Sequence, residues 1–409
     1  GNPVGQWSLT ASLFISWIFA KSVTNAANLG AAYGVVGGLA YASYWLSIPV
    51  AGYIIYLIRT QTGARSLQDF LTSRFGRLAA LAFAAAVLIR LYNEVWSNTA
   101  VVGGYFGRPG EWPYYTAAML FTLFTLAYSL KGGLRSSIFT DVIQAVVFVF
   151  FVGAVLFLIL PANGPGALLG SGEFRLEAGF DLLLVALLQL FSYPFHDPVL
   201  TDRGFVNKEK TMLKSFVVAG LLGFVAVFIF SLVGVHARLN GIDAMGNAPA
   251  AVGQSLGLAA LFFMSVVMMT SAGSTLDSTF TSLAKSLAVD LPRLASRARE
   301  RLPSLRLGAV VMVVFALLGN LPMFAGTDIL KATTISGTMV MGLAPVFLFY
   351  SVTRWSPWSF HLSFWSGLTL GVLLAVGLIP ASWAIGDGKY GLLLGVNAWG
   401  FLICTAGFF

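Results

Sequence analysis

Charge is scarce in this chain. Only 10% of its 409 residues are Asp, Glu, Lys or Arg, against roughly 25% in a soluble domain. Cysteine is scarcer still: Cys404 stands alone, which excludes an internal disulfide and a thiolate metal site. Histidine occurs three times, and His196 has no second histidine or cysteine near it to share a transition metal. There is no GxSxG elbow, no HExxH pair, no DxxD-type pair of acids and no glycine-rich phosphate loop. These absences argue against hydrolase, zinc-hydrolase and ATP-driven chemistry, so an enzyme is not expected, nor an organic cofactor. No stretch reads as a soluble domain or a low-complexity tail. No cleavable leader is visible, and apolar sequence begins within the first ten residues or so.

Hydrophobic residues are what the chain has in abundance, at 57%, with a mean hydropathy of +0.83. Apolar segments of about 20 residues are long enough to cross a bilayer. Twelve such spans are expected, near 8–34, 36–58, 79–106, 113–131, 137–160, 179–202, 211–237, 256–288, 306–323, 328–352, 361–380 and 389–409. The net charge of +8 follows from their arrangement. With Gly1 on the cytoplasmic side, the loops after even-numbered spans carry Arg59, Arg65, Arg74, Arg77, Lys131, Arg135, Arg203, Lys208, Lys210 and Lys214, then Arg293, Arg297, Arg299, Arg301, Arg306 and Arg354. The opposite loops carry only Arg108, Arg175, Arg238 and Lys389. That bias is the positive-inside pattern of a multi-pass protein of the cell membrane. The basic balance is topology, and no nucleic-acid partner is implied. Between the second and third spans, Leu67, Phe70, Leu71 and Phe75 fall at helical spacing among charges, as in an interfacial helix. Leu291 to Arg306 reads as a short basic connector facing the lipid surface.

Two spans carry groups that a purely structural membrane helix does not need. Trp17 to Gly34 places Lys21, Asn25 and Asn28 in the middle of an apolar run, followed by small residues ending in Gly30. Polar groups at that depth are costly and usually line a site or pathway. The alternatives are a helix end snorkelling its lysine and a discontinuous helix whose unwound carbonyls hold a cation. In the sixth span, Pro194 and Pro198 each remove a backbone donor, with His196 and Asp197 between them. Broken spans thus stand first and sixth, each followed by four more. This is the order expected of two inverted five-helix repeats, about 8–160 and 179–352, with a midplane site between them. Two further helices, about 361–409, complete one transmembrane domain over 1–409.

The eighth span holds Thr270, Ser274 and Asp277 on one helix face, flanked by Ser271 and Ser278. Hard oxygen ligands suit a hard cation, while single hydroxyls also serve close helix packing. Asp141, opening the fifth span, reads either as an interfacial acid paired with Arg135 or as an inward ion ligand. Arg90 and Glu94, four apart, read as a self-neutralising pair, with gating as the alternative.

These residues together resemble the sodium:solute symporter family. AANLGAAYGVVGGLAYA (Ala26 to Ala42) is similar to its broken first helix, most closely in the urea-transporter-like branch. The segment from Tyr128 to Gln144, with KGGLR and TD, resembles its GG…TD…Q stretch. FHDPVLTDR (Phe195 to Arg203), TSAGS (Thr270 to Ser274) and GLAP (Gly342 to Pro345) resemble pieces of its sixth, eighth and tenth helices. The resemblance implies an all-helical fold of the amino-acid-transporter type. It implies sodium as the only metal and coupling ion, held by carbonyls of Ala26, Leu29 and Val267 and hydroxyls of Thr270 and Ser271. Asp141 with Ser274 and Thr270 would match a second ion site, with Asp277 a further candidate for it, although Gly273 stands where such members carry a hydroxyl. Tyr193 falls where the family has an aromatic covering the substrate. Lys21 matches no family pattern; it is placed either to hold a carboxylate or to stand in for a cation.

The function expected is sodium-coupled import of a small polar solute by alternating access. The candidate contacts are Lys21, Asn25, Asn28, Tyr193, His196 and Asp197. A urea-like amide, an amino acid or a small carboxylate would each fit them. A proton-coupled transporter or a non-transporting sensor of the same fold are the other readings.

Overall fold

The structure is a computed structural model that describes residues 5–244, 246–295, 305–326, 328–352 and 356–409, without the side chains of 132–137 and 295. Arg135, Arg297, Arg299, Arg301 and Arg354 of the expected basic loops therefore lie outside the described side chains. The described elements are all helical. Among the described residues, eight stretches are long and apolar enough to cross a membrane. They are Val35–Thr62, Arg77–Gly103, Ile138–Leu169, Glu209–Leu239, Leu258–Leu294, Leu305–Ala325, Pro357–Ala375 and Gly391–Phe408. These are the second, third, fifth, seventh, eighth, ninth, eleventh and twelfth expected spans. The first, sixth and tenth are interrupted helices, and the fourth runs on into the fifth.

Helical backbone is continuous over Trp112–Leu169, yet this segment is not one straight rod. Phe121, Tyr128 and Gln144 all approach Gly273: a Cβ there would lie 3.8, 3.7 and 3.4 Å from their side chains. On a straight helix, residues 121 and 144 stand about 35 Å apart at 1.5 Å per residue. The chain therefore reverses between Tyr128 and Asp141. The two arms are the fourth and fifth spans, joined by a tight helical turn instead of an extended loop.

The sixth span breaks where its prolines demand. Helix Phe180–Gln189 stops, a 3₁₀ turn follows at Tyr193–His196, and Asp197 caps the restart by accepting Val199 N–H at 3.0 Å. The tenth span likewise divides into Ile329–Met339 and Leu343–Leu348 around Gly342. The first span breaks elsewhere than expected. Its halves are Gln6–Ser16 and Ala20–Tyr33, and the interruption is Trp17–Phe19. Ala26 and Leu29 lie well inside the second half, so the small-residue patch is regular helix. Its smallness serves packing. A Cβ on Gly30 would meet Ser231 O at 2.3 Å, and one on Gly234 would meet Ala27 O at 1.7 Å. The first and seventh spans cross with backbones almost touching, which glycine alone permits.

Leu67–Phe75 is the short helix expected, with Ser66 Oγ capping Asp69 N–H at 3.0 Å. Leu67, Phe70, Leu71 and Phe75 are buried, and the two phenylalanines pack on Phe347, Tyr350, Phe360 and Phe408. The helix is docked onto the tenth to twelfth spans; its apolar face meets protein, not lipid.

Candidate functional site

The two helix interruptions meet. Trp17, at the first, donates its indole N–H to Asp197 Oδ2 at the second, at 2.9 Å. This long-range bond gives a bulky, glycine-free segment a reason to leave the helix. Around the junction lies a small cavity, with about 10 Å³ of room, enough for one water. Trp17, Tyr41, Tyr44, Trp45 and Tyr193 contribute its rings, and Phe19, Ser22 and Thr333 complete the wall. Of the expected solute contacts, Tyr193 alone lines this cavity.

Lys21, Glu94, Arg90 and Asp197 form one buried chain of charge behind it. Lys21 Nζ bonds Glu94 Oε1 at 2.6 Å, Arg90 bonds Glu94 on its own helix, and Arg90 reaches Asp197 Oδ2 at 3.1 Å. All four are at most 1% exposed. The expected Arg90–Glu94 pair is thus half of a tetrad with no net charge. Arg90 Cζ also sits 5.2 Å from the Phe19 ring centre and 5.1 Å from that of Tyr193, and Lys21 Nζ 5.2 Å from Phe19. The tetrad ties the third span to both interruptions.

Other expected solute contacts stand further out. Asn25 donates to Tyr41 Oη at 3.2 Å, behind the ring. His196 is buried with Nδ1 2.6 Å from Tyr193 O. Asn28 is a correction: it clamps the start of helix Ala248–Leu256, donating to Gly246 O at 2.7 Å and accepting Ala248 N–H at 2.8 Å. Both ends of its amide are thus bonded away from the cavity.

A second polar centre joins the first, fifth, sixth and eighth spans. Buried Asp141 accepts Ser12 Oγ–H at 2.6 Å, Ser16 Oγ–H at 3.0 Å and Ser274 Oγ–H at 2.6 Å. Arg203 enters the same cluster, its Nη2 3.1 Å from Asp141 Oδ2 and bonded to Ser16 and Ser278. Arg203 is therefore no loop charge, as the topology count had it; it is 2% exposed and supplies Asp141 with a cation from within the chain. Asp277 stands to one side, accepting Thr140 Oγ1–H and Ser278 Oγ–H at 3.2 Å each.

For the expected sodium set, Ala26 and Leu29 need correction. Both lie within a regular helix, where carbonyls accept the N–H four residues on; the interrupted backbone is at Trp17–Phe19. On the eighth span, Thr270 Oγ1 donates to Val266 O at 2.8 Å and Ser271 Oγ to Val267 O at 2.9 Å. Such hydroxyls keep their lone pairs available to a cation. Sequence reasoning missed Ser12, Ser16, Trp17, Tyr41, Tyr44 and Trp45. The serines at 12 and 16 carry the one available signal, a four-residue spacing that puts both on one face.

Residues 1–173 match the sodium:solute symporter family. Sodium/glucose cotransporter 4 of Danio rerio is 25% identical over 171 residues, which is 40% of this chain and 25% of that protein. Sodium/myo-inositol cotransporter of Canis lupus familiaris is 26% identical over 166 residues, 39% of this chain and 22% of that protein. The matched stretch spans about a quarter of the length of these relatives. Among solved structures, a substrate-bound, outward-open Na+-coupled sialic acid symporter superposes with a TM-score of 0.73 at 15% identity. It covers 99% of this chain and 89% of the symporter. MhsT in complex with L-phenylalanine gives a TM-score of 0.63 at 14% identity, covering all of both chains. Residues 1–173 thus match the sodium:solute symporter family, and the whole chain has the interrupted-helix fold of such membrane transporters.

Proposed function

We propose that this protein is a sodium-coupled secondary symporter that imports a small polar solute by alternating access. One observation carries the reading: two interrupted spans meet at Trp17–Asp197, and Ser16, next to the first interruption, lies 3.4 Å from Ser278 of the hydroxyl-rich eighth span. Interrupted backbone exposes carbonyls that a regular helix hides, and such carbonyls are tolerated at membrane depth where they face a site. Sodium would bridge the Trp17–Phe19 interruption to Val267, Thr270 and Ser271. The solute would occupy the cavity under Tyr193, with Lys21, Asn25, His196 and Asp197 setting its walls from behind. Repeats over about 8–160 and 179–352 would rock about this centre, and Gly1 would lie in the cytoplasm.

Coupling needs sodium to favour the solute-binding state by its differential affinity. The membrane potential would then add about 2.3 kcal/mol per charge per 100 mV. The reading is of one coupled ion. Arg203 already neutralises Asp141, so a second cation at Asp141, Ser274 and Asp277 would have to displace a guanidinium that donates to Ser12, Ser16 and Ser278. The proposed likeness to the urea-transporter-like branch rests on the residues from Ala26 to Ala42, whereas the named relatives are sugar and inositol cotransporters.

Thermal unfolding of the purified protein in NaCl, with KCl and CsCl at equal ionic strength, tests the ion. A ligand that binds only the folded state raises Tm by mass action. A rise specific to sodium is expected. Equal Tm in all three salts would overturn the sodium reading and bring proton coupling or a sensor forward.

A further inference from the structure

The cavity at the helix junction has walls of an unusual kind. Its rings close a circuit: Trp17 to Trp45 at 5.9 Å, Trp45 to Tyr41 at 6.2 Å, Tyr41 to Tyr44 at 5.6 Å, Tyr44 to Tyr193 at 5.5 Å and Tyr193 back to Trp17 at 6.1 Å. No pair is stacked; adjacent planes meet at 50° to 74°. Five inclined rings around one small void are the geometry of an aromatic cage.

No charged side chain is on the wall. The four nearest charges lie behind it and cancel, two cations against two carboxylates. Rings make up most of the wall, and they act on a charge through their faces. They are electron-rich, so they attract cations and repel anions. The chain already uses two rings of this wall in that way, with Arg90 over Tyr193 and Phe19. A carboxylate-bearing solute would find neither a free cation nor a favourable surface.

To a hydroxyl-rich solute the wall offers acceptors more readily than donors. Tyr44 Oη donates to Gln189 at 2.8 Å, Tyr41 Oη takes Asn25, and Thr333 Oγ1 donates to Ile329 O. A sugar or cyclitol has several hydroxyls and needs both donors and acceptors, and most of the wall's hydroxyl protons are already given to the protein. A methylated ammonium needs no hydrogen bonds. Its methyl groups are apolar and its charge is spread over them.

We propose that the solute of this site is a small organic cation with a methylated ammonium head, enclosed by Trp17, Tyr41, Tyr44, Trp45 and Tyr193. The proposal rests on the transporter reading above. At about 10 Å³ the cage is contracted, so the solute must part its rings. Trp17 and Tyr193 belong to the two interruptions, where backbone can move without breaking a helix.

The test is thermal unfolding and calorimetric binding on the purified full chain with choline chloride and tetramethylammonium chloride. Myo-inositol, glucose, urea and glycine serve as comparators, each in NaCl and in KCl. Saturable stabilisation by the two ammonium salts is expected. Tyr193→Phe should retain it, while Tyr193→Leu should weaken binding about tenfold. Should Tyr193→Leu fail to fold, Trp45→Leu is the second ring-removing variant, with Trp45→Phe as its ring-preserving control. Stabilisation by a comparator but by neither ammonium salt would overturn the proposal. So would choline binding that Tyr193→Leu leaves unchanged, or no response to the ammonium salts in either medium. A sodium shift without an ammonium response would sink this inference and leave the symporter reading standing. An ammonium response in KCl without any sodium shift would do the reverse.

Discussion

Lys21 shows how much a single buried charge depends on its partner. Its ammonium is fully buried against Glu94, which also receives Arg90 and Asn98 Nδ2–H at 3.0 Å. Removing one member of a buried pair leaves the other charge uncompensated, at a cost of about 3–5 kcal/mol. Lys21→Ala should therefore lower stability by that order in denaturant or thermal unfolding. Lys21→Ala/Glu94→Gln should recover part of the loss, because Arg90 still pairs with Asp197. Equal Tm for the single variant and the wild type would mean that the tetrad is not formed in the membrane protein. The lysine was legible as an anomaly, a charge at membrane depth. Its role was not, because Glu94 lies 73 residues away and only the fold brings the two together.

At the scale of helices, the close crossing of the first and seventh spans makes the sharpest demand. Gly234→Ala would push a methyl into Ala27 O, and the surrounding helices cannot relax without separating. Overpacking of this kind costs about 1–3 kcal/mol and occasionally more. Gly153 offers the control: a Cβ there meets nothing within 4 Å, and alanine is the better helix former by about 1 kcal/mol. Thermal unfolding of the two variants should give opposite signs, and a neutral Gly234→Ala would contradict the crossing. The same crossing explains why the first interruption was misplaced from sequence. Small residues around Gly30 look like a weakened helix, but they are a packing surface. The true interruption, Trp17–Phe19, has neither glycine nor proline and is held open by Asp197 of a distant span. The sixth interruption was readable because Pro194 and Pro198 enforce it locally. The reversal between the fourth and fifth spans was readable from Lys131, the paired glycines and Arg135, although the turn remains helical.

For the whole molecule, the eight stretches long and apolar enough to cross a membrane were legible from hydropathy, since a bilayer imposes a length on every segment. The site followed only in part. Hydroxyls on one face of the eighth span are a periodic signal, as are Ser12 and Ser16. The aromatic circuit has no such signal, because its rings come from three separate segments. The account as a whole asks one thing of the assembled protein: that it hold a single sodium ion between the first interruption and Val267, Thr270 and Ser271. The measurement that tests this most directly is equilibrium binding of radioactive sodium to the purified chain, wild type and Thr270→Ala/Ser271→Ala. The account predicts saturable binding with a Hill slope near one, displaced by NaCl but not by KCl, and strongly weakened in the double variant. Absence of saturable binding, or binding that the double variant leaves intact, would contradict it.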